Sequence, residues 1–278
     1  MVTDDEAIHE QLLRKVLRAL GEMDLRQSPP AMAQHLHRLI RKLTGQADPY
    51  SAAKDRFNRL ALDMYPRLKA QIKGSGDPLE TAIRLAIAGN VIDMGVNNHV
   101  TDEQVHEAID HALEASLEAD LMGVAEMVSI AKDILYLADN AGEIVFDRLL
   151  IEQMPLEKVT LAVKGSAIIN DATMKDAEAT GLTELVRVID NGSDAPGTIL
   201  DDCSQAFRRR FEEADLVIAK GQGNYETLSD VGKDIFFILK AKCPVIARDL
   251  GCEVGSLVLR RSSYTEAGAE KGDNYAKI

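Results

Sequence analysis

From Asp133 onward the chain repeats one arrangement: a short run of branched apolar residues, a polar turn, then an amphipathic segment. The runs are ILYLA (134–138), VTLAV (159–163), LVRVI (185–189), LVIA (216–219) and IFFIL (235–239), with a late SLVLR (256–260). A short stretch that is apolar at nearly every position has no solvent face and reads as a strand buried on both sides. Strands alternating with helices favour a mostly parallel sheet with helices on both faces. The expected fold class is therefore α/β for residues 131–278.

Residues 1–130 have a different period. Ile8, Leu12, Leu13, Val16, Leu17 and Leu20 recur at helical spacing. A second helix carries Met32, Leu36, Leu39, Ile40 and Leu43, with Ser28 as N-cap before Pro29 and Pro30 and a stop at Gly45. Two more are expected over roughly 50–72 and 78–88, and Thr101 with Gln104 offers a capping box for another. This half is expected to be an all-α region.

The charge of −13, from 45 acidic against 32 basic residues, argues against nucleic acid or an anionic membrane as partner. With 4% aromatic residues, base stacking is disfavoured too. No apolar run approaches the roughly 20 residues of a membrane span, so a cytoplasmic location is the default expectation. All histidines lie at or before His111, which removes histidine chemistry from the C-terminal half. Cys203, Cys243 and Cys252 have no metal-finger spacing and read as reduced thiols.

In open α/β sheets, ligands bind beyond the carboxyl ends of the strands. The segments there are DNAGE (139–143), KGSAIIND (164–171), DNGSDAPGT (190–198) and KGQGNYE (220–226), all polar and all with glycine. Asp139, Asn140 and Asp171 offer oxygen ligands suited to magnesium or manganese. Lys164 and Lys220, each followed by glycine, place ammonium charge near backbone amides, a common solution for phosphate. Each element also has a plainer reading: Asp139, Asn140 and Asp171 as helix caps, the lysines as solvated turn residues.

Together with AGNVIDMG (88–95) and KAKCPVIARDLG (240–251), these segments resemble the damage-control metal-dependent phosphatases, also catalogued as domain of unknown function 89. The similarity is greatest to their short prokaryotic and archaeal branch. The resemblance implies a helical region packed on a Rossmann-like three-layer α/β/α domain, with one divalent metal ion (manganese, cobalt, nickel or magnesium) between them. It places the metal on Asp139, Asn140 and Asp171, and the phosphate-binding lysine on Lys220, in a lysine-glycine-x-x-asparagine-tyrosine motif that includes Asn224. It sets Asn90, Asp93, Glu143, Lys164, Gly165, Asn191, Gly192 and Ser193 around a small phosphorylated metabolite. Members of this branch often carry a Cys-x-x-Cys close to the N-terminus, and here no cysteine precedes Cys203. Either an upstream piece is missing before Met1 or this member lacks the motif.

The function this implies is metal-dependent hydrolysis of a sugar phosphate or nucleotide-like phosphomonoester, with Asp139 and Lys220 as the catalytic pair; a ligand role is favoured for Asp139, with an acyl-phosphate-forming nucleophile as the alternative. One alternative is a non-catalytic phosphometabolite-binding protein. Another is an S-adenosylmethionine-dependent methyltransferase, which DNAGE, with one glycine and two acids, fits poorly. Oligomeric state is not legible.

Overall fold

A computed structural model describes residues 6–91 and 102–262. Asp93, Thr101 and the segment from residue 263 lie outside the described residues. Five helices come first: α1 (Glu6–Glu22), α2 (Pro29–Thr44), α3 (Ser51–Gly74), α4 (Pro78–Ala88) and α5 (Asp102–Glu114), with a 3-10 turn over Gly89–Val91 after α4. Local chemistry sets their limits. Asp77 accepts from the Glu80 N–H at 3.0 Å, and Pro78 takes the first position of α4, where its missing N–H is no loss. Ser28 sits at the N-cap of α2, but its hydroxyl makes no capping bond. α3 buries Phe57, Ala61, Met64, Leu68 and Ile72, one stripe at helical spacing.

Seven strands form one sheet: β1 (Leu117–Ala119), β2 (Ile134–Leu137), β3 (Val159–Val163), β4 (Arg187–Asp190), β5 (Leu216–Lys220), β6 (Ile235–Lys240) and β7 (Leu257–Arg261), in the order β1-β7-β6-β5-β2-β3-β4. All neighbours are parallel except β6 and β7. Between the strands lie α6 (Leu121–Ile130), α7 (Glu143–Ile151), α8 (Met174–Ala179), α9 (Gln205–Glu213), α10 (Gly221–Leu228) and α11 (Pro244–Leu250). β1 comes from within the segment that the sequence presents as helical; three residues carry too little pattern to read as a strand. β4 starts later than expected, because Leu185 and Val186 turn back to the Leu182 carbonyl.

Side chains alternate across the sheet and define three layers. Ile134 and Tyr136 face a core shared with α3, α4 and α7, while Leu135 and Leu137 face Phe207 and Phe211 of α9, Tyr225 and Leu228 of α10, and Ile246 and Leu250 of α11. Phe146 of α7 is fully buried where the helical half meets the sheet layer. Truncating such a residue to alanine costs about 3–5 kcal/mol. The helical half thus shares its core with one face of the sheet.

Candidate active site at the sheet switch point

From β2 the chain builds outward through β3 and β4, then returns to the other side of β2 with β5 and β6. The connecting helices change faces at that point, so a crevice opens beyond the ends of β2 and β5. β2 delivers Asp139 and Asn140; β5 delivers Lys220 and Gly221. Gly221 has φ +81°, and a Cβ there would fall 1.9 Å from Asp139 Oδ2. Only glycine lets these strand ends approach so closely.

The loops after β2 and β3 are zipped together by backbone. Ala172 N–H donates to the Asp139 carbonyl and Ala141 N–H to the Asn170 carbonyl, both 2.8 Å, and Asn140 and Asp171 form an antiparallel bridge. Asp139, Asn140 and Asp171 are thereby brought to one place. None of them is the side-chain cap of the helix that follows. Gly142 precedes α7, and its N–H donates to Asn58 Oδ1 of α3 at 2.7 Å; α8 is capped by Thr173 and Asp176.

Glu143 organises the amides. Its Oε2 accepts from Asn140 Nδ2 at 3.0 Å and from Asn90 Nδ2 at 2.9 Å. The same two amide groups reach Asp139 Oδ2, at 2.9 Å from Asn140 and 3.4 Å from Asn90. Only an amide nitrogen can face two carboxylates, so the orientation of both side chains is dictated and their oxygens turn away from that pair. Asn90 Oδ1 is buried with no hydrogen-bond partner among the described residues. Leaving such a carbonyl unsatisfied costs about 1–3 kcal/mol.

The two lysines are both buried, not solvated. Lys220 is 0% exposed, and its ammonium donates to Ala86 O at 2.9 Å, Glu143 Oε1 at 2.7 Å and Asp147 Oδ1 at 2.5 Å. Those are all three of its N–H bonds. Burial works against its charge, but Asp147 and Glu143 outweigh it and hold the ammonium above the ordinary lysine range. Burial pushes Asp147 up to about 6 while Lys220 pulls the other way. Tyr136, its phenol raised by burial and by Asp147, donates to Asp147 at 2.8 Å. Lys164 contacts the Gly197 carbonyl and Asp171 Oδ2, the latter at 3.4 Å.

The remaining expected residues brace this centre. Asn191 Oδ1 accepts from Gly165 N–H at 3.0 Å and Ser193 N–H at 2.9 Å, and a Cβ on Gly165 would meet Gly192 at 2.5 Å. Ser193 donates to Asp202 at 2.6 Å. Asn224 donates to the Lys220 carbonyl at 2.7 Å and the Ala138 carbonyl at 3.4 Å, and accepts from Thr198 at 2.7 Å. It ties the two strand ends together from below.

The helical half closes over the rim through polar contacts absent from the sequence reading. Gln34 donates to Asp194 and Asp202, both at 2.7 Å, Arg38 pairs with both acids, and Arg41 reaches Asp194 and the Ala167 carbonyl. Lys54 and Asn58 of α3 both meet Asp176 at 2.9 Å. A cavity of about 530 Å³ lies among Arg41, Gln46, Asp48, Ser166 and Asp194. A larger one, about 890 Å³, opens at the opposite ends of the strands around Asp133, Thr160 and Arg187, away from these residues. The convergent loops, not cavity size, locate the site.

Among the described residues no three His, Cys, Asp or Glu side chains gather into a metal cluster. The candidate set is two carboxylates and an amide, and it suits a hard cation on two grounds. The donors are all oxygen, with the Asn140 amide held by Glu143 as an orienting partner. The carboxylates also gather negative charge: Asp139, Glu143, Asp147 and Asp171 converge with Lys164 and Lys220 in one buried network. A divalent cation is compatible with such a carboxylate-rich set.

Residues 1–258 match the family described as Damage-control phosphatase ARMT1-like domain. A damage-control phosphatase of Archaeoglobus fulgidus is 38% identical over 266 residues, covering 94% of this chain and 92% of that protein. A damage-control phosphatase of Pyrococcus horikoshii is 37% identical over 270 residues, covering 95% and 92%. The crystal structure of a DUF89 family protein from Pyrococcus horikoshii superposes with a TM-score of 0.85 at 35% identity, covering 94% of this chain and 92% of that one. The chain belongs to the ARMT1-like damage-control phosphatase family, which supports a phosphatase role. Among the described residues no helix is long and apolar enough to cross a membrane.

Proposed function

We propose that this chain is a divalent-metal-dependent phosphatase acting on a small phosphorylated metabolite, a sugar phosphate or nucleotide-like phosphomonoester, at the switch-point crevice. The observation that carries the reading is the backbone zipper that sets Asp139 and Asn140 against Asp171, with the Asn140 amide locked on Glu143. Asp139, Asn140 and Asp171 would hold the cation. Manganese, cobalt, nickel or magnesium bound there would supply Lewis acidity toward the phosphoryl group and activate a water. Glu143 holds the Asn140 nitrogen and so leaves the oxygen available for the cation.

The phosphate falls to Lys164 in this reading rather than to Lys220. Lys220 has spent its three N–H bonds on internal acceptors, whereas Lys164 has two acceptors and stands beside Asp171. Its ammonium offsets charge on the transferring group. Asn191, Ser193 and Asn224 position the loops, and Gly165 leaves room for the rim to close.

The test is phosphate release from a panel of phosphosugars and nucleotides with each cation, against a chelator control. The wild type is expected to release phosphate only with metal, and Asp139→Ala and Asp171→Ala to release none while melting cooperatively. Wild-type binding of a phosphosugar with no release under any cation would favour the non-catalytic carrier instead.

A further inference from the structure

We infer that Asn90 is a fourth oxygen ligand of the cation, through Oδ1. This rests on the proposed metal reading of Asp139, Asn140 and Asp171 and adds a ligand from the helical half. Asn90 is 5% exposed, and its Oδ1 is buried with no hydrogen-bond partner among the described residues. Its Nδ2 is fixed by Glu143 Oε2 and Asp139 Oδ2, the same two oxygens that fix the Nδ2 of Asn140. Both amides thus have the nitrogen fixed on the same carboxylates, which leaves each oxygen free for another task. If one of those oxygens is a ligand, the other is set for the same task.

The backbone is built to deliver it. Asn90 lies on the 3-10 turn after α4, and a Cβ at the preceding Gly89 would fall 2.9 Å from the Phe146 ring. Glycine alone lets the turn settle on α7, one helical turn from Glu143. Lys220, donating to both the Ala86 carbonyl of α4 and Glu143 of α7, fastens the same two elements. A structural amide would need only its N–H groups here. The buried oxygen has no such use, and a cation meets its need.

Two substitutions separate oxygen donation from N–H donation. Asn90→Ala removes both, while Asn90→Asp keeps the oxygen and loses the N–H groups. Manganese(II) alone is titrated into the full chain, with free ion read from its paramagnetic resonance signal and the fold of each variant checked by melting without metal. Asn90→Ala is expected to weaken binding by about tenfold or more, and Asn90→Asp to bind within about threefold of wild type or tighter. Unchanged affinity in Asn90→Ala overturns the ligand, as does Asn90→Asp binding as weakly as Asn90→Ala. Should Asn90→Ala not fold, Asn90→Leu, which fills the same space without an oxygen, takes its place: binding weakened about tenfold supports the ligand, and unchanged binding overturns it. A wild type that binds no manganese, magnesium, cobalt or nickel sinks the underlying metal reading and the inference with it.

Discussion

At the end of β3, Lys164 contacts a loop carbonyl and a candidate metal ligand; at the end of β5, Lys220 is enclosed by a carbonyl and two carboxylates from α4 and α7. Both are lysine-glycine pairs at the carboxyl ends of parallel strands. The difference lies in what packs above them. Over β5 sits α7, whose Glu143 and Asp147 are one turn apart and point at the same ammonium. Over β3 sits a loop network, Asn191 to Asp202, clamped by α2. In the proposed function one lysine is the keystone and the other meets the phosphate.

The sharpest break of that contrast is Lys220→Met. It leaves two buried carboxylates without their cation, and stability is expected to fall by about 3–5 kcal/mol in a denaturant titration. A loss under about 1 kcal/mol would mean that Lys220 is no keystone. Lys164→Met should invert the pattern, lowering the rate of phosphate release by about 10²–10³-fold with a far smaller change in melting. If Lys220→Met folds normally and loses activity while Lys164→Met keeps it, the two roles are exchanged.

The smallest effect concerns the clamp over Lys164. Arg38 is half exposed, so Arg38→Ala is expected to cost under about 1 kcal/mol, with the Michaelis constant rising more than the turnover falls. Acid probes the same contact. Burial would raise Asp194, but hydrogen bonds from Arg38 and Gln34 and the charge of Arg41 outweigh it and hold the carboxyl below the usual range. Its folded pKa is depressed, so its contribution is full above the ordinary carboxylate range and fades as pH falls through the folded value. Wild type should therefore lose stability on acidification faster than Asp194→Asn; parallel curves would dismiss the clamp.

The strands β2, β3, β5 and β6 were legible because each is buried and almost wholly apolar, whereas β1 is too short to show a pattern. The Asp139, Asn140 and Asp171 grouping followed from the rule that ligands gather at strand ends. What escaped is everything that depends on which helix covers which loop. Asp147 reads as the polar side of an amphipathic helix, yet it is buried against Lys220. Gln34, Arg38 and Arg41 form a polar stripe at helical spacing, and only the packing of α2 turns it toward Asp194 and Asp202 rather than toward water. A stripe of that kind has the same sequence whether it meets solvent or a partner loop.

The short strand β1 ties the two halves in a way that bears on any attempt to separate them. It pairs Leu117, Glu118 and Ala119 with Leu257, Val258 and Leu259 of β7, so the far edge of the sheet belongs to the first half of the chain. A fragment beginning at residue 131 would leave β7 as an open, apolar edge ready to pair with other molecules. Such a truncation should aggregate, and dissection of this protein is better made by point replacement than by cutting.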